Sequence, residues 1–195
     1  MAEPSRRPAT YEDLKQVPER FLAQIIGGEL VVLPPPGLLH ARVASVVGSK
    51  LGEPFDHGSG GPGGWWILFE RELHLGSEIV VPDLAGWRRA RLPSIPDAPF
   101  HTLAPDWVCE VLSPSTARLD RLEKLALYAR EGVDHAWIID PLARTLEAFR
   151  RQGASWLLIT THGGDRPGRI EPFDAVEIDV RALWSGLPKP LAAVD

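Results

Sequence analysis

Two carboxylates stand among residues that do not suit them. Asp83 lies in Ile79-Val80-Val81-Pro82-Asp83-Leu84-Ala85, and Glu110 lies in Trp107-Val108-Cys109-Glu110-Val111-Leu112. Both stretches read as β-strands. Side chains alternate along a strand, so Asp83 shares a face with Val81 and Ala85, and Glu110 with Val108 and Leu112. A carboxylate on an apolar face is costly unless it finds a cation or takes up a proton. Two of them on separate strands point to a common cation, and hard oxygen donors suit Mg²⁺ or Mn²⁺, which keep several waters. The plainer alternative sets each at a strand end, within reach of solvent or an arginine. Lys124 is the third candidate. It stands four residues after Asp120, with Tyr128 one turn further on, so the three share a helix face. An exposed Asp120–Lys124 ion pair is one reading. A Lys124 turned back to the carboxylates, where it would steady developing charge, is the other.

The elements that must carry these groups follow from pattern. Thr10 and Asp13 make a capping box for a short helix from Tyr11 to near Pro18. A segment from Arg20 to Ile26 stops at Gly27-Gly28, and Glu29 to Leu33 reads as a strand closed by Pro34-Pro35-Pro36-Gly37. Leu39, Val43, Val46, Val47 and Leu51 recur at helical spacing over residues 38–51. Asp56 to Gly64 holds five glycines in nine residues and reads as a loop. Trp65 to Leu75 and Glu78 to Trp87 form a hairpin about Gly76-Ser77. Arg88 to Pro105, with four prolines and three arginines, reads as a long surface loop. A strand at Trp107 to Leu112 leads to a helix at Thr116 to Glu131, with Leu119, Leu122, Leu125 and Ala126 as its buried stripe. Strands follow at 136–140, 145–150 and 155–161, and a last one near Ala175 to Val180.

Composition narrows the class. The chain has 195 residues, enough for one domain with a substantial core. No apolar run approaches the ~20 residues of a membrane span. Arg6 and Arg7 have no apolar segment behind them, so the N-terminus does not read as a signal peptide. Cys109 is the single cysteine, which excludes an internal disulfide and a multi-cysteine metal site and makes a reducing, cytoplasmic setting the default. With a net charge of −5, there is no basic surplus for strong nonspecific binding to nucleic acid. Any such binding falls to a local patch, for which Arg88, Arg89 and Arg91 are the best candidates. The glycine-rich loop lacks the Lys-Ser/Thr ending of a phosphate cradle. The seven tryptophans and Cys109 read as core residues.

Taken together, several runs resemble one family. They are Pro82-Asp83, Glu110-Val111-Leu112-Ser113-Pro114-Ser115-Thr116, Asp120-Arg121-x-x-Lys124-x-x-x-Tyr128, Gly132-Val133, and Trp137-Ile138-Ile139-Asp140-Pro141. These runs resemble the Uma-two family of restriction endonucleases, within the PD-(D/E)XK nuclease superfamily. Gly28-Glu29-Leu30, the proline turn and His40 match its N-terminal pattern, so the resemblance spans Tyr11 to Leu183. It implies a single α/β (α+β) domain with a restriction-endonuclease-like mixed central β-sheet flanked by helices. It also implies metal-dependent hydrolysis of DNA phosphodiester bonds, with Mg²⁺ (or Mn²⁺) held by Asp83, Glu110 and the main-chain carbonyl of Val111.

The sequence departs from the superfamily at two places. Its lysine normally stands two residues after the Glu, where this chain has Leu112; Lys124, on the following helix, is the matching replacement. Gln24 and Gly27 stand where the family often carries Glu and Asp. His40, meeting a phosphate or a metal-bound water, and Asp120, behind Lys124, are accessory candidates. A homodimer is expected, because one site per chain must deal with two strands. The alternative is a catalytically inactive nuclease-fold module that binds a partner. The boundaries expected are a tail over residues 1–10, the nuclease-like domain over 11–185 and a tail over 186–195.

Overall fold

A computed structural model describes residues 7–164 and 166–188. Residues 1–6 and 189–195, which make up most of the two expected tails, lie outside the described residues. The capping box at Thr10 opens α1 (Tyr11–Lys15). A hairpin of β1 (Leu22–Ile26) and β2 (Glu29–Leu33) turns on Gly27 and Gly28, both at positive φ as a two-residue turn requires. Helix α2 (Leu38–Leu51) runs on into a π turn over Gly52–His57, so Asp56 belongs to a helical turn and not to the glycine loop expected there.

The hairpin expected over residues 65–87 is present but shared between two sheets. Its arms break into β3 (Trp65–Phe69) and β4 (Leu73–Leu75), then β5 (Glu78–Val80) and β6 (Leu84–Arg88). β4 and β5 join β1 and β2 in a four-stranded antiparallel sheet, while β3 and β6 enter a six-stranded one. The break has local causes. Glu70 sits at positive φ, and Pro82 has no N–H to continue a ladder. A single bond from Glu70 N–H to the Asp83 carbonyl spans the gap.

The larger sheet is ordered β10-β9-β8-β7-β6-β3. It uses β7 (Trp107–Val111), β8 (His135–Asp140), β9 (Thr145–Gln152) and β10 (Ser155–Gly163). Only β7 and β8 run parallel, which demands a crossover. The crossover is helical: α3 (Ala117–Leu119), a π turn over Asp120–Lys124, and α4 (Leu125–Arg130). This is a single mixed α+β domain, as expected, with a second sheet that the pattern did not reveal.

Alternation along β7 divides the core in two. Trp107, Cys109 and Val111 face α2 and the C-terminal segment, where Phe173 meets Trp65, Trp107 and Trp137. Val108 and Leu112 face α4 and the small sheet. The last expected strand is not one. Ile178 makes only an isolated bridge to Gly168, and Ile178 and Val180 are apolar because they plug the sheet face before α5 (Arg181–Trp184). Among the described residues no helix is long and apolar enough to cross a membrane.

Candidate active site

The register of β6 against β7 pairs Leu84 with Cys109, and continued by one residue it sets Asp83 opposite Glu110. The side chains obey it. Asp83 Oδ2 accepts the Val111 N–H at 2.6 Å, so the carboxylate is fastened beside the residue that follows Glu110. His40, in the first turn of α2, donates from Nε2 to the same oxygen at 3.0 Å.

Glu110 is 2% exposed and points, as alternation requires, to the face of Val108 and Leu112. Its Oε1 receives the Tyr128 hydroxyl at 2.6 Å and lies 2.7 Å from Lys124 Nζ. Lys124 is 3% exposed. It also donates to the Val81 carbonyl at 3.3 Å and stands 3.5 Å from Asp120 Oδ1. The exposed Asp120–Lys124 pair is therefore not what the chain builds: both residues are buried.

The helix explains how. The buried stripe is Asp120, Lys124 and Tyr128 with Leu125 and Leu127 beside it, whereas Leu122 is 60% exposed and Ala126 faces solvent. The expected stripe through Leu119, Leu122, Leu125 and Ala126 is thus corrected. A π turn carries an extra residue, and such turns recur at functional sites. This one covers Asp120–Lys124, the five residues that present two charged groups inward.

Electrostatics follow from burial. It pushes Glu110 up to about 8, with Lys124 opposing and Asp120 and Asp83 reinforcing. Burial also raises Asp120, against the pull of Lys124. For Lys124 burial acts downward, but Glu110, Asp120 and Asp83 outweigh it, and the ammonium is held above its ordinary value. His40 is raised in the same way, the bond and charge of Asp83 outweighing its burial. Three carboxylates thus surround one lysine, and a proton on Glu110 stands where a further positive charge would fit.

These groups form the floor of a cleft of about 520 Å³, with Val111 also on its lining. One wall is the turn at Phe21 and the three prolines; the other is Ser113 to Thr116. All contacts of Asp83 and Glu110 named above fall on Oδ2 and Oε1, so Oδ1 and Oε2 remain for a ligand. No group of three or more His, Cys, Asp or Glu able to hold a metal occurs among the described residues. Two carboxylates and a carbonyl are too few for a zinc-type centre, but they fit a hard cation that keeps most of its waters.

Arg88, Arg89 and Arg91 are not brought to this cleft. Arg88 ends β6, about 16 Å of strand from Asp83, and Arg89 and Arg91 lie beyond it. Arg88 and Arg91 pair with the buried Asp106, and Arg89 pairs with Asp56 at 2.9 Å and stacks on Trp66.

Two residues to which the sequence assigned no role belong to the site. Tyr128 could be found from its spacing with Lys124. Gln24 is a lone polar residue in the apolar run 22–26; it is 1% exposed and accepts the Val81 N–H at 2.9 Å, leaving its own Nε2 unpartnered.

No curated protein matches the sequence. Among solved structures, the chain resembles a "putative nuclease belonging to DUF820" from Anabaena variabilis, with a TM-score of 0.68 and 21% identity. The match covers 91% of this chain and 98% of that one, and at this identity it is a likeness of fold. A family model described as "Putative restriction endonuclease" matches residues 8–181, nearly the whole length that carries the two sheets and the cleft, and the chain therefore belongs to the Uma2 family.

Proposed function

We propose that this protein is a metal-dependent endonuclease that hydrolyses phosphodiester bonds of DNA. The observation that carries the reading is the 2.7 Å approach of Lys124 to Glu110 on the floor of the cleft that also holds Asp83. Asp83, Glu110 and the main-chain carbonyl of Val111 would hold Mg²⁺ or Mn²⁺. Bound there, the ion would lower the pKa of a coordinated water and offset charge on the scissile phosphate.

The chain's own groups divide the remaining work. Lys124 keeps its charge because three carboxylates surround it, so it can orient the attacking water and steady negative charge as it develops. Asp120 holds Lys124, and Tyr128 fixes Glu110. His40 holds Asp83 and stands ready to donate to a phosphate oxygen. A duplex presents two strands to one site per chain, so a homodimer belongs to this reading. A cytoplasmic setting does too, since Cys109 is buried and free.

One observation favours the inactive-module alternative: all three arginines of the expected basic patch are engaged in ion pairs. The test is cleavage of supercoiled plasmid and of oligonucleotides with Mg²⁺ or Mn²⁺, with thermal shift on the same samples. The ion should raise the melting temperature of the wild type and not of Asp83→Ala. The wild type should cut, and Lys124→Met should cut on the order of 100-fold more slowly. If no substrate is cut with either metal, the module reading takes the lead.

A further inference from the structure

Each sheet has two edges, and three of the four are dealt with visibly. β4 is bridged by His101, which exchanges backbone bonds with His74 at 2.8 Å and Glu72 at 2.9 Å. β3 runs beside the π turn after α2, where Asp56 accepts the Ile67 N–H and Arg89 Nε donates to the Trp65 carbonyl. β2 has five residues, opens on Glu29 and ends at three prolines, all features that discourage strand pairing.

β10 is the fourth edge. It is nine residues long and contains no Asp, Glu, Lys, Arg or Pro. Among the described residues, its backbone hydrogen bonds go to β9 alone. Leu157 and Leu158 point to opposite faces and are 44% and 48% exposed. The second half of the strand is protected: a register shift falls between Leu158 and Thr160, and the returning chain lies so close to His162 that a Cβ on Gly168 would collide with the imidazole. The first half has neither device.

We propose that Ser155–Leu158 pairs antiparallel with the same segment of a second copy, joining two six-stranded sheets edge to edge. The unpaired N–H and C=O groups ask for a strand, and a two-fold axis supplies one of matching length. Self-pairing sets each residue of the segment against another of the same segment, and an uncharged segment meets no like charge there. The edge has no charge with which to select a foreign strand. Leucines on both faces would be covered on pairing. This inference rests on the edge and not on the nuclease reading, and its test reads association alone.

The experiment is sedimentation equilibrium of the wild type, Leu157→Lys and Leu158→Lys, with circular dichroism of each. The wild type should be a dimer at ~10 µM, and either lysine should raise the dimer dissociation constant at least ~10-fold with the fold kept. Should a lysine variant misfold, Ser155→Cys, Leu157→Cys and Leu158→Cys supply the second arm. Cys109 is buried, so a cross-linked dimer under mild oxidation reports the new thiol. A wild type that remains monomeric at ~100 µM overturns the proposal. So does a dimer that neither lysine weakens, or one that none of the three cysteines cross-links.

Discussion

Glu110 holds a proton well into the pH range where a free glutamate has lost one, because burial outweighs the neighbouring lysine. An unfolded chain releases that proton near the ordinary value of ~4.3. Between there and about 8 the folded state binds more protons than the unfolded one. Stability of the metal-free protein should therefore be highest at the acid end of that window and fall as pH rises through it. Asp120 and His40, both raised, act in the same direction. Melting temperatures taken in EDTA from pH 5 to 8.5 should show the decline, and Glu110→Gln should make it shallower across that window. An unchanged slope in that variant would mean that the proton resides on another group. Lys124→Met makes a complementary case. It leaves Glu110 and Asp120 buried without their cation, so denaturation at pH 8 should show a loss of about 3–5 kcal/mol. The loss should shrink toward pH 6, because burial favours the protonated form of Glu110.

At the scale of elements, the Glu110 strand and the helix after it are legible; the strand expected through Asp83 breaks at Val81–Asp83, between β5 and β6, and the helix presents a different face from the one expected. Alternation placed Glu110 with Val108 and Leu112 and Cys109 on the opposite face, because a strand's period of two leaves no freedom. A period of 3.6 with an apolar stripe puts Leu122 inside. Its actual orientation is set by an ion cluster whose partners lie 10 and more residues away, and no local propensity encodes a π turn. The small sheet escaped for a related reason: β4 and β5 have three residues each, and the register to β1 is a single pair, Ile25 with Ile79. The helix orientation can be checked with two substitutions. Leu122→Glu should change stability by no more than about 0.5 kcal/mol. Leu125→Ala, three residues on and buried, should cost about 2–4 kcal/mol. Chemical denaturation of the two side by side would decide, and the reverse order would restore the simple α-helical stripe.

Across the whole molecule, the arginines and the cleft lie at opposite ends of β6. Arg91 stands 3.1 Å from Asp106, whose side chain is 1% exposed and also accepts the Arg88 N–H at 2.9 Å. Arg91→Gln should therefore show itself as lost stability, about 1–3 kcal/mol by urea titration, before it shows in any affinity for oligonucleotide. A variant of native stability with weakened binding would put the loop back in contact with nucleic acid. The cleft itself lies where one hairpin passes from the large sheet to the small one and back. The chain crosses that gap at Glu70–Glu72 and again at Val81–Asp83, and the second crossing carries a site carboxylate. Two lips stitched together at the floor cannot swing apart like the covers of a book. Access to Asp83 and Glu110 thus depends on the rim, the turns at Phe21 and Pro34–Pro36, while the geometry of the floor stays as folded. Amide exchange should be slow at Val111 and Leu112 and fast at the rim, whether or not a metal or an oligonucleotide is present.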